Sequence, residues 1–204
     1  MLLPCLFGEK DRAIQHCRYL GPVRNHVSPA AGTKANLWVN LYHREILDVY
    51  GKVRLMTMED TRFLHCNIKT LNLIPAVIAS QRAKEAGCFE TVFHRNGRVT
   101  ECAHSNVHIL SKGKFITAPT DNLILPGIAR KHLIAACGRL GIPVEGRPYD
   151  LTEPADADEI VVSSAGALCI PANELEGKAA GGEAPELLKA IQNEVLREFR
   201  EQTA

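Results

Sequence analysis

Arg62-Phe63-Leu64-His65-Cys66-Asn67-Ile68-Lys69-Thr70-Leu71-Asn72-Leu73 decides how this chain is read. Upstream, Lys52 to Met58 has the composition and alternation of a strand. Downstream, Leu71 to Ala86 reads as a helix closed by Gly87, with Pro75 in the first turn, where a missing N–H costs little. Lys69 therefore falls between a strand and a helix, flanked by Ile68, Leu71, Leu73 and Ile74. Such neighbours are expected to desolvate it partly, which favours a free amine and Schiff-base chemistry. The competing reading is a loop lysine whose ammonium reaches solvent.

Outward from this stretch the pattern stays regular. Asn36 to Tyr42 reads as a strand. Phe89 to His94 and Arg98 to Glu101 flank Asn96-Gly97, the strongest short hairpin signal. Asn106 to Leu110 and Phe115 to Thr117 form a second hairpin. Gly127 to Leu140 reads as a helix with Ile128, Leu133, Ile134 and Cys137 on one side. Ile160 to Ser163 is a short buried strand, and Pro185 to Glu201 an amphipathic closing helix. Met1 to Leu20 shows no convincing period, and turn-rich pieces follow to residue 35. The expected organisation is an irregular lead-in, residues 1–35, and an α/β (α+β) domain over 36–204 built on a mixed sheet.

Further segments could carry chemistry. Glu101 ends a strand and precedes the small polar run Cys102-Ala103-His104-Ser105-Asn106. A carboxylate there can face a cleft, and beside a pyridine nitrogen it would favour the protonated ring, the stronger electron sink. In Leu123-Ile124-Leu125-Pro126-Gly127-Ile128-Ala129-Arg130 an apolar run meets Pro-Gly and a helix start, whose free N–H groups suit a phosphate. Ser163-Ser164-Ala165-Gly166 could complete a phosphate cup. Arg24-Asn25-His26 could hold a carboxylate at two points. Each of these, taken alone, is more often an ordinary surface or junction.

Bulk properties bound the rest. The 204 residues carry a formal net charge of +1 with no basic block, so charge gives no case for nucleic acid or a membrane surface. No apolar run approaches a membrane span. Seven scattered cysteines without a C-x-x-C pair point to reduced thiols and a cytoplasmic location. His104 and His108 lie four apart on loop and strand, so no metal site is expected.

Together, these segments resemble the fold-type IV pyridoxal-phosphate enzymes, the class-IV aminotransferases, and among them the bacterial D-amino acid aminotransferases. The stretch Arg62 to Leu73 is similar to that family's lysine motif, Glu101 with Ser105-Asn106 to its T-E-x-x-x-S-N motif, and Leu123 to Arg130 to its N-L-I-L-x-G-I-x-R motif. Order and spacing agree from about Gly21 to the C-terminus. The resemblance implies a mixed-sheet pseudo-barrel and pyridoxal 5'-phosphate as cofactor. It also implies a homodimer, and transamination between a D-amino acid such as D-alanine and a 2-oxo acid. It makes Lys69 the Schiff-base and proton-shuttling lysine and Glu101 the partner of the pyridine nitrogen. Leu125 would pack on the ring, Ile128 and Ala129 with Gly127 would bind the phosphate, and Ser164 with Ala165 would assist. Arg24 and His26 would trap the substrate carboxylate, which favours the D-amino acid branch. Branched-chain aminotransferase and aminodeoxychorismate lyase chemistry are the same-fold alternatives. Three departures bear on phosphate binding: Ala129 replaces a usual threonine, Ala165 and Gly166 replace hydroxyl residues, and His65 replaces arginine. The family also carries a smaller N-terminal domain that this chain is expected to lack, so a truncated, non-catalytic remnant is a further alternative.

Overall fold

The structure is a computed structural model that describes residues 12–20, 23–24, 28–29, 36–43 and 47–203; before Leu47 it describes the backbone alone. The chain divides into two compact units, Met1–Ile46 with Glu198–Ala204, and Leu47–Arg197. In the first unit β1 (Arg12–Leu20) pairs antiparallel with β4 (Asn36–His43), with a register shift between Ile14 and His16, and β2 (Val23–Arg24) pairs with β3 (Ser28–Pro29). The strand β1 falls where the sequence shows no period: pairing with β4 supplies what local pattern does not.

The second unit is built on one mixed sheet. Its elements in chain order are β5 (Val53–Glu59), α1 (Ile74–Glu85), β6 (Glu90–Arg95), β7 (Arg98–Cys102), β8 (Asn106–Ser111), β9 (Lys114–Thr117), α2 (Ile128–Arg139), β10 (Val144–Gly146), α3 (Thr152–Ala155), β11 (Glu159–Ser163), β12 (Ile170–Leu175), β13 (Lys178–Ala179) and α4 (Pro185–Thr203). The spatial order is β10-β9-β8-β11-β12-β5-β6-β7, with β13 on β12. The expected helices and hairpins are present. Asn96 (φ 49°) and Gly97 (φ 85°) are both left-handed, as a two-residue turn matching strand twist requires. The helix start at Leu71 is corrected: α1 begins at Ile74, with Pro75 in its first turn. On α2 the buried stripe is Ala129, Leu133, Ala136 and Cys137, while Ile128 is exposed.

The sheet must curl. β7 and β8 stand five places apart in its order, about 24 Å in a flat sheet. Yet only residues 103–105 join them, and the chain from Cys102 to Asn106 spans at most about 14 Å. The curl wraps a core of Leu55, Val92, Val99, Val107, Ile109 and Ile160, each at most 2% exposed. The expected mixed-sheet pseudo-barrel is therefore the observed architecture.

Two parallel strand pairs organise the site. β5 and β6 are parallel, as are β9 and β10. Parallel neighbours need long crossovers, usually helical. Here residues 60–73 lead into α1, and residues 118–127 lead into α2. Both crossovers leave the C-terminal ends of their strands, the usual location of ligand sites in such sheets.

Candidate active site

The two crossovers are tied together. The Cys66 N–H donates to the Asn122 carbonyl at 2.8 Å, and the Asn122 Nδ2 donates to the Leu64 carbonyl at 3.0 Å. Lys69 and the Leu123–Ala129 segment, far apart in sequence, thus share one end of the sheet.

Glu101 sits between them on β7, 5% exposed. Every oxygen of its carboxylate is engaged. Oε1 accepts from Arg62 Nη1 at 2.6 Å. Oε2 accepts from Asn106 Nδ2 at 3.1 Å and from the Leu125 N–H at 3.0 Å. Burial pushes Glu101 up, while the Arg62 guanidinium and the Leu125 N–H pull it down, leaving it at about 7. Arg62 is itself anchored by Asp60 through Nε–Oδ1 and Nη2–Oδ2, both 2.9 Å. Burial raises Asp60, but Arg62 and Arg95 outweigh it and hold Asp60 below the usual carboxylate range. Thr100 and Arg95 also donate to Asp60 Oδ2, each at 3.2 Å.

Asn106 joins this cluster to the α2 end. Its Nδ2 also donates to the Leu125 carbonyl at 3.0 Å. Its Oδ1 lies 2.1 Å from where a side chain on Gly127 would begin, so only glycine permits the approach. Gly127 is the N-cap of α2 and offers no side-chain cap, so the first-turn N–H groups that would meet an anion are left without one. Asn106 is paired across the sheet with Ser163, the residue before Ser164. Ser164 Oγ accepts from the Ala167 N–H at 3.2 Å, which shapes that turn. Two positions along β8 from Asn106, His108 is fully buried between Thr117 Oγ1 (2.9 Å) and Ser163 Oγ (2.8 Å) on the strands to either side. Arg130 Nε reaches the same Thr117 hydroxyl at 3.0 Å. Burial, then Arg130, drives His108 down to about 3, so it is a neutral spacer.

The expected desolvation of Lys69 is corrected: its side chain is exposed, and so are its apolar neighbours. Ile68 is 56% exposed, Leu71 64% and Ile74 70%, with Leu64, Val77 and Ile78 also open. On α1 itself the packing turns Ala76, Ala79 and Ala83 inward and Ile74, Val77 and Ile78 outward, so the helix offers the loop no apolar cover there. Leu125 is half-buried, Ala129 buried, and Ile128 and Ala165 exposed. Of the carboxylate-binding pair, Arg24 lies in β2, where the backbone alone is described, and His26 lies outside the described residues. Arg62, Asp60, Arg95 and Asn106 were not singled out from sequence, although Arg62 and Asn106 stand inside the quoted motifs. The Asp60-Thr61-Arg62 charge pair just past a strand end is the signal that could have marked them.

The comparisons agree with this geometry. A model of the family described as amino-transferase class IV matches residues 25–175. The chain is 40% identical over 123 residues to a D-alanine aminotransferase of Listeria monocytogenes, covering 60% of this chain and 43% of that protein. It is 36% identical over 151 residues to a D-alanine aminotransferase of Bacillus licheniformis, covering 72% and 53%. The chain thus spans about half the length of these relatives. By shape it is similar to the Escherichia coli branched-chain amino acid aminotransferase, at TM-score 0.73 and 22% identity, covering 87% of this chain and 62% of that one. A structure from Legionella pneumophila assigned to 4-amino-4-deoxychorismate lyase has TM-score 0.70 at 19% identity, with 86% and 66% covered. At these identities the structures speak for the fold; the family match, over most of the chain, places it among the class IV aminotransferases.

Proposed function

We propose that this chain is the cofactor-binding part of a pyridoxal 5'-phosphate-dependent aminotransferase. It would act between a D-amino acid such as D-alanine and a 2-oxo acid. One observation carries the proposal: a buried carboxylate, Glu101, is tied through Asn106 to the uncapped, glycine-opened start of α2. That pairing suits a ligand with a basic ring nitrogen at one end and a phosphate at the other. The cofactor, when bound, supplies the electron sink that makes a substrate α-proton removable.

The protein's residues do the rest. Lys69 is the amine that holds the cofactor. Its Nζ, when free and neutral, would take the proton from the substrate α-carbon and hand it back on the cofactor side. Glu101, when ionised, would favour the protonated ring nitrogen by opposite charge. Gly127, Ile128 and Ala129 would hold the phosphate through backbone N–H groups, helped by Ser164 and Ala165, and Leu125 would pack on the ring. Ala129 brings no hydroxyl, so helix N–H groups carry more of that contact. Arg24 and His26 are proposed to bind the substrate carboxylate, as a charged fork does. The D-alanine aminotransferase relatives favour a D-amino acid over the branched-chain and lyase alternatives.

A homodimer is part of the same proposal. Leu64, Ile68, Leu71 and Ile74, all exposed close to Lys69 in sequence, suit an interaction surface. Covering it would supply the desolvation that a neutral Lys69 requires.

The test is turnover by the purified, cofactor-supplemented chain. D-Alanine with 2-oxoglutarate is expected to yield pyruvate, faster than L-leucine yields its oxo acid. A preference for L-leucine, or pyruvate released from aminodeoxychorismate without an amino acceptor, would overturn the D-amino acid reading. Cofactor held on Lys69 without turnover of any donor would leave a cofactor-binding chain and remove the catalytic claim.

A further inference from the structure

We propose that Arg62 is a positioning residue: it bridges Asp60 and Glu101 and so fixes the Glu101 carboxylate against the loop that carries Lys69. The proposal rests on the reading of Glu101 as the partner of the cofactor's ring nitrogen, and deepens it.

The geometry is a chain of charge-assisted contacts. Asp60 takes Arg62 in a two-point fork, which leaves Nη1 to reach Glu101 Oε1 at 2.6 Å. The guanidinium carbon stands 4.8 Å from the Phe93 ring centroid, so the ring fixes the plane of the fork. Arg62 is also where the Lys69 loop is held down. Arg95 Nη2 donates to the Arg62 carbonyl at 2.6 Å and the Phe63 carbonyl at 3.1 Å, while its Nε meets Asp60. One side chain therefore fixes the loop, and the next links that loop to Glu101. The groups facing Glu101 are Arg62, Asp60 and Cys66 from the loop after β5, and Cys102 beside it on β7, with Asn106 and the Leu125 N–H as neutral donors.

The sign of the effect follows. Burial raises Glu101, and Arg62 is the first of the groups that pull it back towards about 7. Without Arg62 the carboxyl stays protonated to higher pH, and a protonated carboxyl cannot balance a charged ring nitrogen. A lysine at this position keeps the charge but cannot fork to Asp60 while reaching Glu101.

The experiment uses the full chain as wild type, Arg62→Met, Arg62→Lys and Glu101→Gln. The Glu101 carboxyl is titrated by carbon-13 NMR without cofactor, its signal assigned by its absence in Glu101→Gln. Pyridoxal 5'-phosphate affinity is measured by absorbance. Arg62→Met is expected to raise the Glu101 midpoint by about one unit or more and to weaken cofactor binding about tenfold. Arg62→Lys, which keeps the buried site neutral and guards against loss of folding, is expected to hold the midpoint within about half a unit while still weakening cofactor binding about fivefold. Wild-type titration and affinity in both variants would overturn the proposal. Should the wild-type chain bind no cofactor, the functional reading fails. The titration of Arg62→Met then still decides whether Arg62 governs Glu101.

Discussion

Glu101 and Lys69 belong to one proposed site, yet they are held in opposite ways. Glu101 is buried, with every oxygen occupied by a donor from this chain. Lys69 stands exposed in a run of open apolar side chains. The carboxylate half of the site is complete in itself. The lysine half has its place set by the Asn122 clamp, but not its dielectric surroundings. Preorganisation and desolvation, often treated as one property of an active site, are divided in the proposed site: the first is built into this fold, and the second would come from the proposed covering surface.

Substituting each residue separates the two halves most sharply. Lys69→Ala is expected to lower turnover by about 10⁴-fold, while an exposed side chain's removal moves stability by no more than about 0.5 kcal/mol. Glu101→Ala should do the reverse in stability, costing about 3 kcal/mol, because Arg62 would be left as a buried charge short of one partner. Denaturant melts of both variants check this, and equal stability losses would break the comparison.

On β8, two positions from Asn106, His108 brings a pH dependence. His108 is held near 3 when folded and returns to about 6.5 when unfolded, so folding favours its neutral form. Its contribution is complete above about 6.5 and is lost as pH falls towards 3. Unfolding free energy is expected to drop with acid by up to roughly 5 kcal/mol from this group, and a His108→Gln variant should have a flatter acid limb. Identical limbs in the two proteins would show that His108 is not the group responsible.

Gly127→Ala probes the contact between Asn106 and the α2 start in the proposed cofactor cradle. A methyl 2.1 Å from Asn106 Oδ1 forces that amide away from Glu101 and Leu125, at a cost of about 2 kcal/mol. Cofactor affinity should fall with it; a variant of wild-type stability and affinity would mean the approach is not needed. The smallest expected effect is on the lysine side. Ile74→Thr with Ile78→Thr should leave monomer stability within about 0.5 kcal/mol but weaken self-association, read by sedentation-equilibrium mass at several concentrations. Unchanged association would remove α1 from the proposed interface.

Much of this was legible in the sequence, for reasons the same comparison explains. Asn96-Gly97 marks its hairpin because its dihedral demands are local. Gly127 and the helix after it are legible for the same reason, as turn and capping chemistry is short-range. The motifs containing Lys69 and Glu101 carried the family. What was not legible is long-range. β1 exists through its pairing with β4, and the curl appears only when the sheet order is set against the three-residue link between β7 and β8. The contact of Arg62 with Glu101 spans 39 positions, and no local pattern reports it. The exposure of Lys69 is not legible either, because apolar neighbours in sequence need not be neighbours in space: Ile68, Leu71 and Ile74 all face outward with it.

The central claim is that Lys69 is the amine that holds pyridoxal 5'-phosphate. The most direct measurement is borohydride reduction of the cofactor-supplemented chain, followed by peptide mass spectrometry. A phosphopyridoxyl group on Lys69, at close to one per chain and lost in Lys69→Ala, is the predicted result. Label spread over surface lysines at similar levels, with Lys69 no more modified than the rest, would contradict it.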